Sequence, residues 1–318
     1  MSSPLFHAIG IALAAIVQVA AMLAVAPLLK TLIKKLKARL QNRQGPPLLQ
    51  GYYDLAKLLR KEPVRSETAS WIYVAGPRVY FAAALSATTL VPVWTASAPL
   101  ESAGGILLLV GTLALGRFAL ATAALDTGSP FGGMGASRDM TIAALAEPAL
   151  MLGLFTSALA AGSMNLGALV RGLVQQGPSY HPSDLLAFAG LLIIVVAETG
   201  RIPVDNPATH LELTMIHEAM VLEYAGPDLA LVEWTAAVKE LLYLTLLVDL
   251  FMPLGIATSL SPAALLISVV AWAAKVSMLA IVVTLIESMN AKLRLFRVPE
   301  LVSTSLGLAF LALAIRFL

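Results

Sequence analysis

Arg117, Glu147, Glu198, Lys239, Glu240, Asp249, Lys275 and Glu287 are ionisable residues set in runs of apolar sequence long enough to cross a lipid bilayer. An ionised side chain at the middle of a lone transmembrane helix costs about 2.5–3.5 kcal/mol on insertion scales. Such groups persist only where a bundle interior, a partner or water solvates them. Glu198 and Glu287 lie near the ends of their runs and can snorkel, whereas Glu147, Lys239 and Asp249 lie too far inside. A carboxylate in a low-dielectric bundle holds its proton more tightly, and a nearby lysine loosens it again. Several acids and a lysine on neighbouring spans therefore suit a polar track that relays protons. The same residues could instead form internal ion pairs that lock helices together.

The densest polar segment is ETGRIPVDNPATHLELTMIHEAMVLEYAG, residues 198–226. Pro203 and Pro207 break any helix at its start, and Thr209 is placed to cap a new one. From there Glu212, Ile216, Ala219 and Glu223 would share one stripe, since eleven residues make about three turns. His210, Thr214, His217 and Glu218 would form another. A helix with acids along its length beside a membrane mouth suits proton conduction or partner docking. No metal is expected here, because His217-Glu218 lacks the second histidine of a His-Glu-x-x-His site. Gly132-Gly133-Met134-Gly135 follows no strand, so it is not a nucleotide loop; a tight turn is expected there.

The elements that must position these groups follow from composition. Residues are 58% apolar and only 13% charged, against roughly 25% charged in a soluble domain. Apolar runs fall at about 4–30, 74–97, 103–125, 139–162, 184–199, 230–252, 263–287 and 300–318. The expectation is an all-α integral membrane protein of about eight transmembrane helices, forming one domain over residues 1–318. The first run, Leu5 to Leu29, is longer than a signal-peptide core and no small-residue cleavage site follows, so it reads as a span. Gly51 to Arg60 adds a short amphipathic interfacial helix, with Leu55, Leu58 and Leu59 on one face and Asp54, Lys57 and Lys61 outward. It suits a membrane surface or a docking face for a partner.

Basic residues set the orientation. Lys34, Lys35, Lys37, Arg39, Arg43, Lys57, Arg60, Lys61 and Arg65 lie in the first connection; Arg138, Arg201, Lys292, Arg294 and Arg297 lie in alternate later ones, with Arg171 the clearest exception. The positive-inside rule places loops 31–73, 126–138, 200–229 and 288–299 in the cytoplasm and both termini outside. No cysteine is present, which excludes disulfides and any cysteine-ligated iron–sulfur cluster or zinc within the chain. Net charge is only +2, and no nucleic-acid partner is expected.

Several motifs carry a resemblance that extends over nearly the whole chain. Arg43-Gln44-Gly45-Pro46, followed by Asp54, Lys57 and Leu58, is similar to the Arg-x-Gly-Pro segment of the membrane subunit shared by respiratory complex I and energy-converting nickel–iron hydrogenases. Glu198-Thr199-Gly200-Arg201-Ile202-Pro203-Val204-Asp205 resembles the Glu-Thr-Asn-Arg-x-Pro-Phe-Asp signature of complex I, and Glu223-Tyr224-Ala225-Gly226 the Glu-Tyr-Ser-Gly that closes that loop. Leu125 to Phe131, Gly135 to Arg138, Trp234 with Lys239, and Glu287 to Leu295 resemble the hydrogenase branch, of the formate hydrogenlyase and hydrogenase-4 type. Between Asp205 and Glu223 the chain lacks the family's dense acidic run and carries His210 and His217 instead.

The resemblance implies a subunit of the inner (cytoplasmic) membrane with no complete active site and no cofactor of its own. Iron–sulfur clusters and nickel–iron would belong to cytoplasmic hydrogenase-like partners, and antiporter-like membrane subunits would lie beside this one. Glu147, Glu198, Asp205, Glu212, Glu223, Lys239 and Asp249 are then the candidates for ion coupling. Arg43, Asp54, Arg138 and Arg201 are candidates for the cytoplasmic junction. Two alternatives stay open: the quinone-site subunit of a complex-I-type dehydrogenase, with a quinone-length cavity opening between the first helices, and a stand-alone secondary transporter. The transporter should show a helix broken at the bilayer midplane, whereas the Gly/Pro-rich breaks here fall in loops.

Overall fold

A computed structural model of the chain describes residues 4–66, 68–177, 181–206 and 215–317. Among the described residues every regular element is helical: α1 (Pro4–Leu40), α2 (Gln50–Leu59), α3 (Trp71–Leu90), α4 (Ile106–Asp126), α5 (Pro130–Ala161), α6 (Leu166–Gln176), α7 (Pro182–Glu198), α8 (His217–Val221), α9 (Gly226–Phe251), α10 (Pro262–Met289) and α11 (Val298–Phe317). Helices α1, α4, α5, α10 and α11 are by themselves long and apolar enough to cross a membrane. The other three expected spans coincide with α3, α7 and α9. Of these, α7 has only 17 residues, and α9 carries Lys239, Glu240 and Asp249 in its second half.

Helix α9 is the axis of the bundle. It packs against α1, α2, α3, α6, α7 and α10, and every residue from Ala237 to Leu250 is buried. A helix enclosed by protein on all sides can hold charges that lipid would reject. Around it α3 pairs with α4, and α5 and α7 share α11. Polar links fix these packings. The Trp234 indole donates to the Leu23 carbonyl at 3.0 Å, and Ser305 donates to the Gly190 carbonyl at 2.7 Å. The outward surface is apolar: Leu13, Ile16, Leu107, Phe118, Leu266, Ile267 and Val270 are all exposed, as a lipid-facing wall requires.

Several boundaries depart from the sequence expectation. Helix α1 continues to Leu40, so Lys30, Lys34, Lys35, Lys37 and Arg39 lie on a helical extension of the first span. Nothing between Lys30 and Gln41 breaks a helix, and the basic residues of its last turn suit the negative end of the helix dipole. The glycines from Gly132 to Gly135 make no turn. They lie in the first turns of α5, whose entry is set by Pro130 at its first position. Gly135 is needed for close packing: a Cβ there would stand 2.9 Å from the Ala219 Cβ and 3.0 Å from the Ile216 carbonyl. The amphipathic α2 forms where expected, with Asp54 exposed and accepting from the Gln50 amide at 2.8 Å. Its neighbour in kind, α6, has no counterpart in the sequence expectation.

The acidic stripe expected from Thr209 onward does not form in the part the structure describes. Helix α8 spans only His217–Val221; Ile216 precedes it, and Glu223 follows in a turn with its side chain exposed. Thr209, His210, Glu212 and Thr214 lie outside the described residues.

Gln18 supplies a test of the packing. Its buried amide donates to the carbonyls of Thr88 (2.6 Å) and Val91 (2.8 Å), where α3 ends. An unsatisfied buried polar group costs roughly 1–3 kcal/mol. Gln18→Leu should therefore lower stability by about that amount, read as a fall in thermal midpoint in detergent relative to wild type.

Candidate functional site

The buried charges converge where α4, α5, α7, α8 and α9 meet. Arg117 of α4 is the hub. Its guanidinium is hydrogen-bonded to Glu198, the last residue of α7. It also lies 3.9 Å from Asp139 and 3.6 Å from Glu147, both on α5. Glu198 in turn accepts from the Tyr243 hydroxyl at 3.0 Å and lies 3.6 Å from the Lys239 ammonium. The same ammonium sits over the Tyr80 ring, 5.4 Å from its centroid, which adds cation–π stabilisation in a desolvated setting. His217 closes the group through Asp139, with 3.0 Å between Nδ1 and Oδ1.

Charge counting defines what this arrangement can do. Glu147, Glu198 and Asp139 carry three negative charges when ionised; Arg117 and Lys239 carry two positive ones. The group therefore carries one net negative charge when the His217 imidazole is neutral and none when it is protonated. Burial alone would lower the His217 pKa, but the Asp139 carboxylate outweighs it and holds the imidazole above its ordinary value. A cavity of about 10 Å³, room for one water, lies among Arg117, Asp139, Glu198, Gly200 and His217.

A second cavity of about 470 Å³ leads to this group from the lysine- and arginine-rich end. It runs between α1, the loop after it, α3 and α9, and reaches Glu198, His217 and Lys239. Its walls carry Lys30, Lys34, Lys37, Arg43, Arg201 and Lys239, together with Glu198, Asp205, Glu218, Glu233, Glu240 and Glu287. Six basic and six acidic side chains thus punctuate a lining that is otherwise largely apolar. Lys30 pairs with Glu233. Arg201 bridges Glu240 and Glu287, and Lys37 reaches Glu287 at 3.4 Å. Burial, then the Glu233 carboxylate, push Glu218 above the usual carboxylate range.

The loop after α7 is built to hold His217 against this group. Gly200 has φ of +60°, and a Cβ there would meet the His217 ring at 2.6 Å. The similar complex I signature has asparagine at this place; the left-handed backbone accepts either residue, but the imidazole leaves space only for glycine. Asp205 anchors the loop: it accepts from the amides of Asn206 (2.8 Å) and Ile216 (3.0 Å) and pairs with Lys292 at 3.1 Å. Arg138 donates to the Met215 carbonyl at 2.8 Å. Tyr224 stacks on Tyr73, centroids 4.3 Å apart, while the Tyr73 hydroxyl donates to the Glu223 carbonyl at 2.7 Å.

Of the residues singled out from sequence, Glu147, Glu198 and Lys239 come together around Arg117. Asp205, Arg138 and Arg201 hold the loop that covers them, and Arg43 lines the larger cavity. Asp249 lies elsewhere on α9, facing Lys275 of α10. Glu223 takes part through its main chain, and Glu212 is outside the described residues. Sequence reasoning missed Asp139 and Tyr243. Asp139 was expected as the first residue of its span, at the membrane edge, so it did not count as a buried charge; Ser129-Pro130, a helix-start pair, marks the true entry and puts Asp139 well inside α5. Among the described residues no group of three His, Cys, Asp or Glu side chains could hold a metal.

Comparison with known proteins gives this geometry a context. The NADH dehydrogenase family model matches residues 12–317. The chain is 33% identical over 297 residues to formate hydrogenlyase subunit 4 of Escherichia coli K12, covering 93% of this chain and 96% of that protein. It is 32% identical to hydrogenase-4 component C of the same organism, covering 94% and 93%. A subunit of the NADH-quinone oxidoreductase of Rhodospirillum rubrum is 28% identical, over 62% of this chain and 60% of its own length. A chain of the membrane-bound sulfane sulfur reductase, an archaeal respiratory membrane complex, shares the fold with a TM-score of 0.81 at 20% identity, covering 96% of this chain and 99% of that one.

Two outcomes follow from the geometry. Replacing Arg117 by alanine would strand Glu198 and Asp139 in the bundle, and breaking a buried pair costs about 3–5 kcal/mol; the variant should lose assembly or show a sharply lower thermal midpoint. The His217–Asp139 pair stabilises the loop fully below about pH 6.5, the unfolded imidazole value, and loses that contribution as pH rises through the elevated folded value. Protection of residues 215–222 against hydrogen exchange, corrected for intrinsic rates, should fall with rising pH in wild type and stay flat in His217→Gln.

Proposed function

The chain belongs to the NADH dehydrogenase family, and on that premise we propose that it is the non-redox membrane subunit of an energy-converting, hydrogenase-like complex. It forms the foot on which peripheral iron–sulfur and hydrogenase-type subunits stand. It couples their electron transfer to proton or sodium translocation by neighbouring antiporter-like subunits. Residues 1–318 act as one membrane domain of eight spans in the inner membrane, with termini outside and the basic loops, the mouth of the 470 Å³ cavity among them, in the cytoplasm.

One observation carries this reading. The ion-pair chain starts at the cavity with His217 and Glu198, crosses Arg117, and ends on Glu147, whose side chain is one-third exposed midway along α5. A charge open to the bundle's flank in mid-helix requires a partner there, and a neighbouring membrane subunit supplies one. A redox event in the peripheral arm that shifts loop 200–206 or α8 changes the Asp139–His217 contact. Arg117 then redistributes between Glu198 and Glu147, which favours release of a proton at the flank.

The quinone-site alternative has a specific observation in its favour, since the cavity does open beside α1 and α3. The wall is mostly apolar by area but carries twelve charged side chains along it, and the hydrogenase-type relatives match over 93–94% of the chain at 32–33% identity, so we rank coupling first. Neighbouring redox partners, clusters and nickel are part of the same reading, and metal analysis of the complex purified through this subunit identifies them.

Glu147→Gln keeps the shape of the side chain and removes its ability to ionise. The complex should assemble and transfer electrons at rates within about twofold of wild type, while ion pumping in sealed vesicles falls at least tenfold. Undiminished pumping, or loss of assembly, would count against the relay and favour a purely structural ion pair.

A further inference from the structure

Asp249 is buried, at 2% exposure, and neither of its carboxylate oxygens has a hydrogen-bond partner among the described residues. The charge that acts on it is Lys275 of α10. That lysine does not spend its ammonium on the carboxylate. It donates instead to the main-chain carbonyls of Met252 and Leu254, each at 2.9 Å. Were the pair a simple lock between α9 and α10, the ammonium would sit on the carboxylate and leave the carbonyls to other donors.

The backbone around the two carbonyls is unusual for a bundle of this kind. Helix α9 stops at Phe251, and the chain passes through a non-helical segment, with a turn at Leu254 and Gly255, before α10 begins at Pro262. That segment pairs with the one after α3: the Ala96 amide donates to the Ala257 carbonyl and the Ala257 amide to the Trp94 carbonyl, both at 3.0 Å. Lys275 is rooted thirteen residues after Pro262, about 20 Å along α10 at 1.5 Å per residue. The two carbonyls it reaches lie just past the end of α9, that of Met252 half-buried and that of Leu254 at the exposed edge. Asp249 and Met252 are only three residues apart in sequence, and the Lys275 ammonium acts on the carboxylate of the one while it is bonded to the carbonyl of the other.

A buried carboxylate beside unwound main-chain carbonyls at a helix C-terminus is an oxygen donor set for a small monovalent cation, and the negative end of the helix dipole adds to it. We propose that Asp249 with the Met252 and Leu254 carbonyls forms an alkali-cation site of sodium size, in which the Lys275 ammonium is a tethered competitor. Cation entry displaces the ammonium toward the exposed surface beside Leu254, and cation exit lets it return. The site lies nine residues beyond Glu240 along α9, about 13 Å away. It does not depend on the coupling role of the Arg117 group.

The test uses the protein in lipid nanodiscs and a carbodiimide that labels buried carboxyl groups, read by mass spectrometry, alongside equilibrium binding of radioactive sodium. Sodium, but not choline, should slow labelling of Asp249 in wild type. Lys275→Met should bind one sodium per chain at least tenfold more tightly, because the competitor is gone. Asp249→Asn should abolish binding in either background. Lys275→Arg keeps a cation on the carbonyls and preserves the packing, and its affinity should stay at or below that of wild type. Labelling that responds to pH and not to sodium, or sodium binding that survives Asp249→Asn, would overturn the proposal.

Discussion

A guanidinium enclosed in an apolar bundle is stable only where carboxylates surround it, and the Arg117–Glu198 contact is where this chain meets that requirement. Helix α4 supplies the cation and the end of α7 supplies the acid, so the two must abut. Asp139 and Glu147 bring α5 to the same point, and Lys239 with Tyr243 bring α9. The packing of four long helices thus converges on one charge. The surrounding apolar core excludes water, which makes each of these contacts stronger and each loss of a partner more costly.

The same interaction explains why the loop after α7 is elaborate. Glu198 ends its helix, and the chain must leave without exposing the pair to bulk water. Gly200 turns it through a left-handed backbone, Asp205 ties it down through two amides and Lys292, and Arg201 returns to Glu240 and Glu287. His217 then occupies the opening over Asp139. Access to the buried group passes through a titratable side chain on a five-residue helix, a short and locally held element suited to responding to a partner that binds above it.

Helix α9 carries polar chemistry along its length because protein encloses it. Midway along it Lys239 and Glu240 serve two neighbouring ion-pair groups; near its end Asp249 faces Lys275 beside a segment where helical hydrogen bonding has been given up. Both places depend on the same condition, that this half of the helix is buried from lipid. Five apolar helices supply most of the lipid-facing wall that makes this possible.

The sequence by itself determined the solvent, the class and most of the helices. Apolar runs of bilayer length allow only helices, since each backbone group must be satisfied within its own segment. The charges inside those runs marked Glu147, Glu198 and Lys239 because lipid penalises them wherever they pack. What sequence could not decide was which charge meets which. Asp249 and Glu198 look alike as buried acids, yet one joins Arg117 and the other faces Lys275, because partners come from helices distant in the chain. It is Glu198 that reaches Arg117, and Asp249 that faces Lys275. Asp139, Tyr243 and the pairing of His217 emerged only in three dimensions. The Gly132–Gly135 run, expected as a turn, became the first turns of α5, with Gly132 against the end of α4 and Gly135 against α8, since a glycine's role is set by what approaches it. Local chemistry fixes the spans and their cost; the tertiary fold assigns the partners that make that cost bearable.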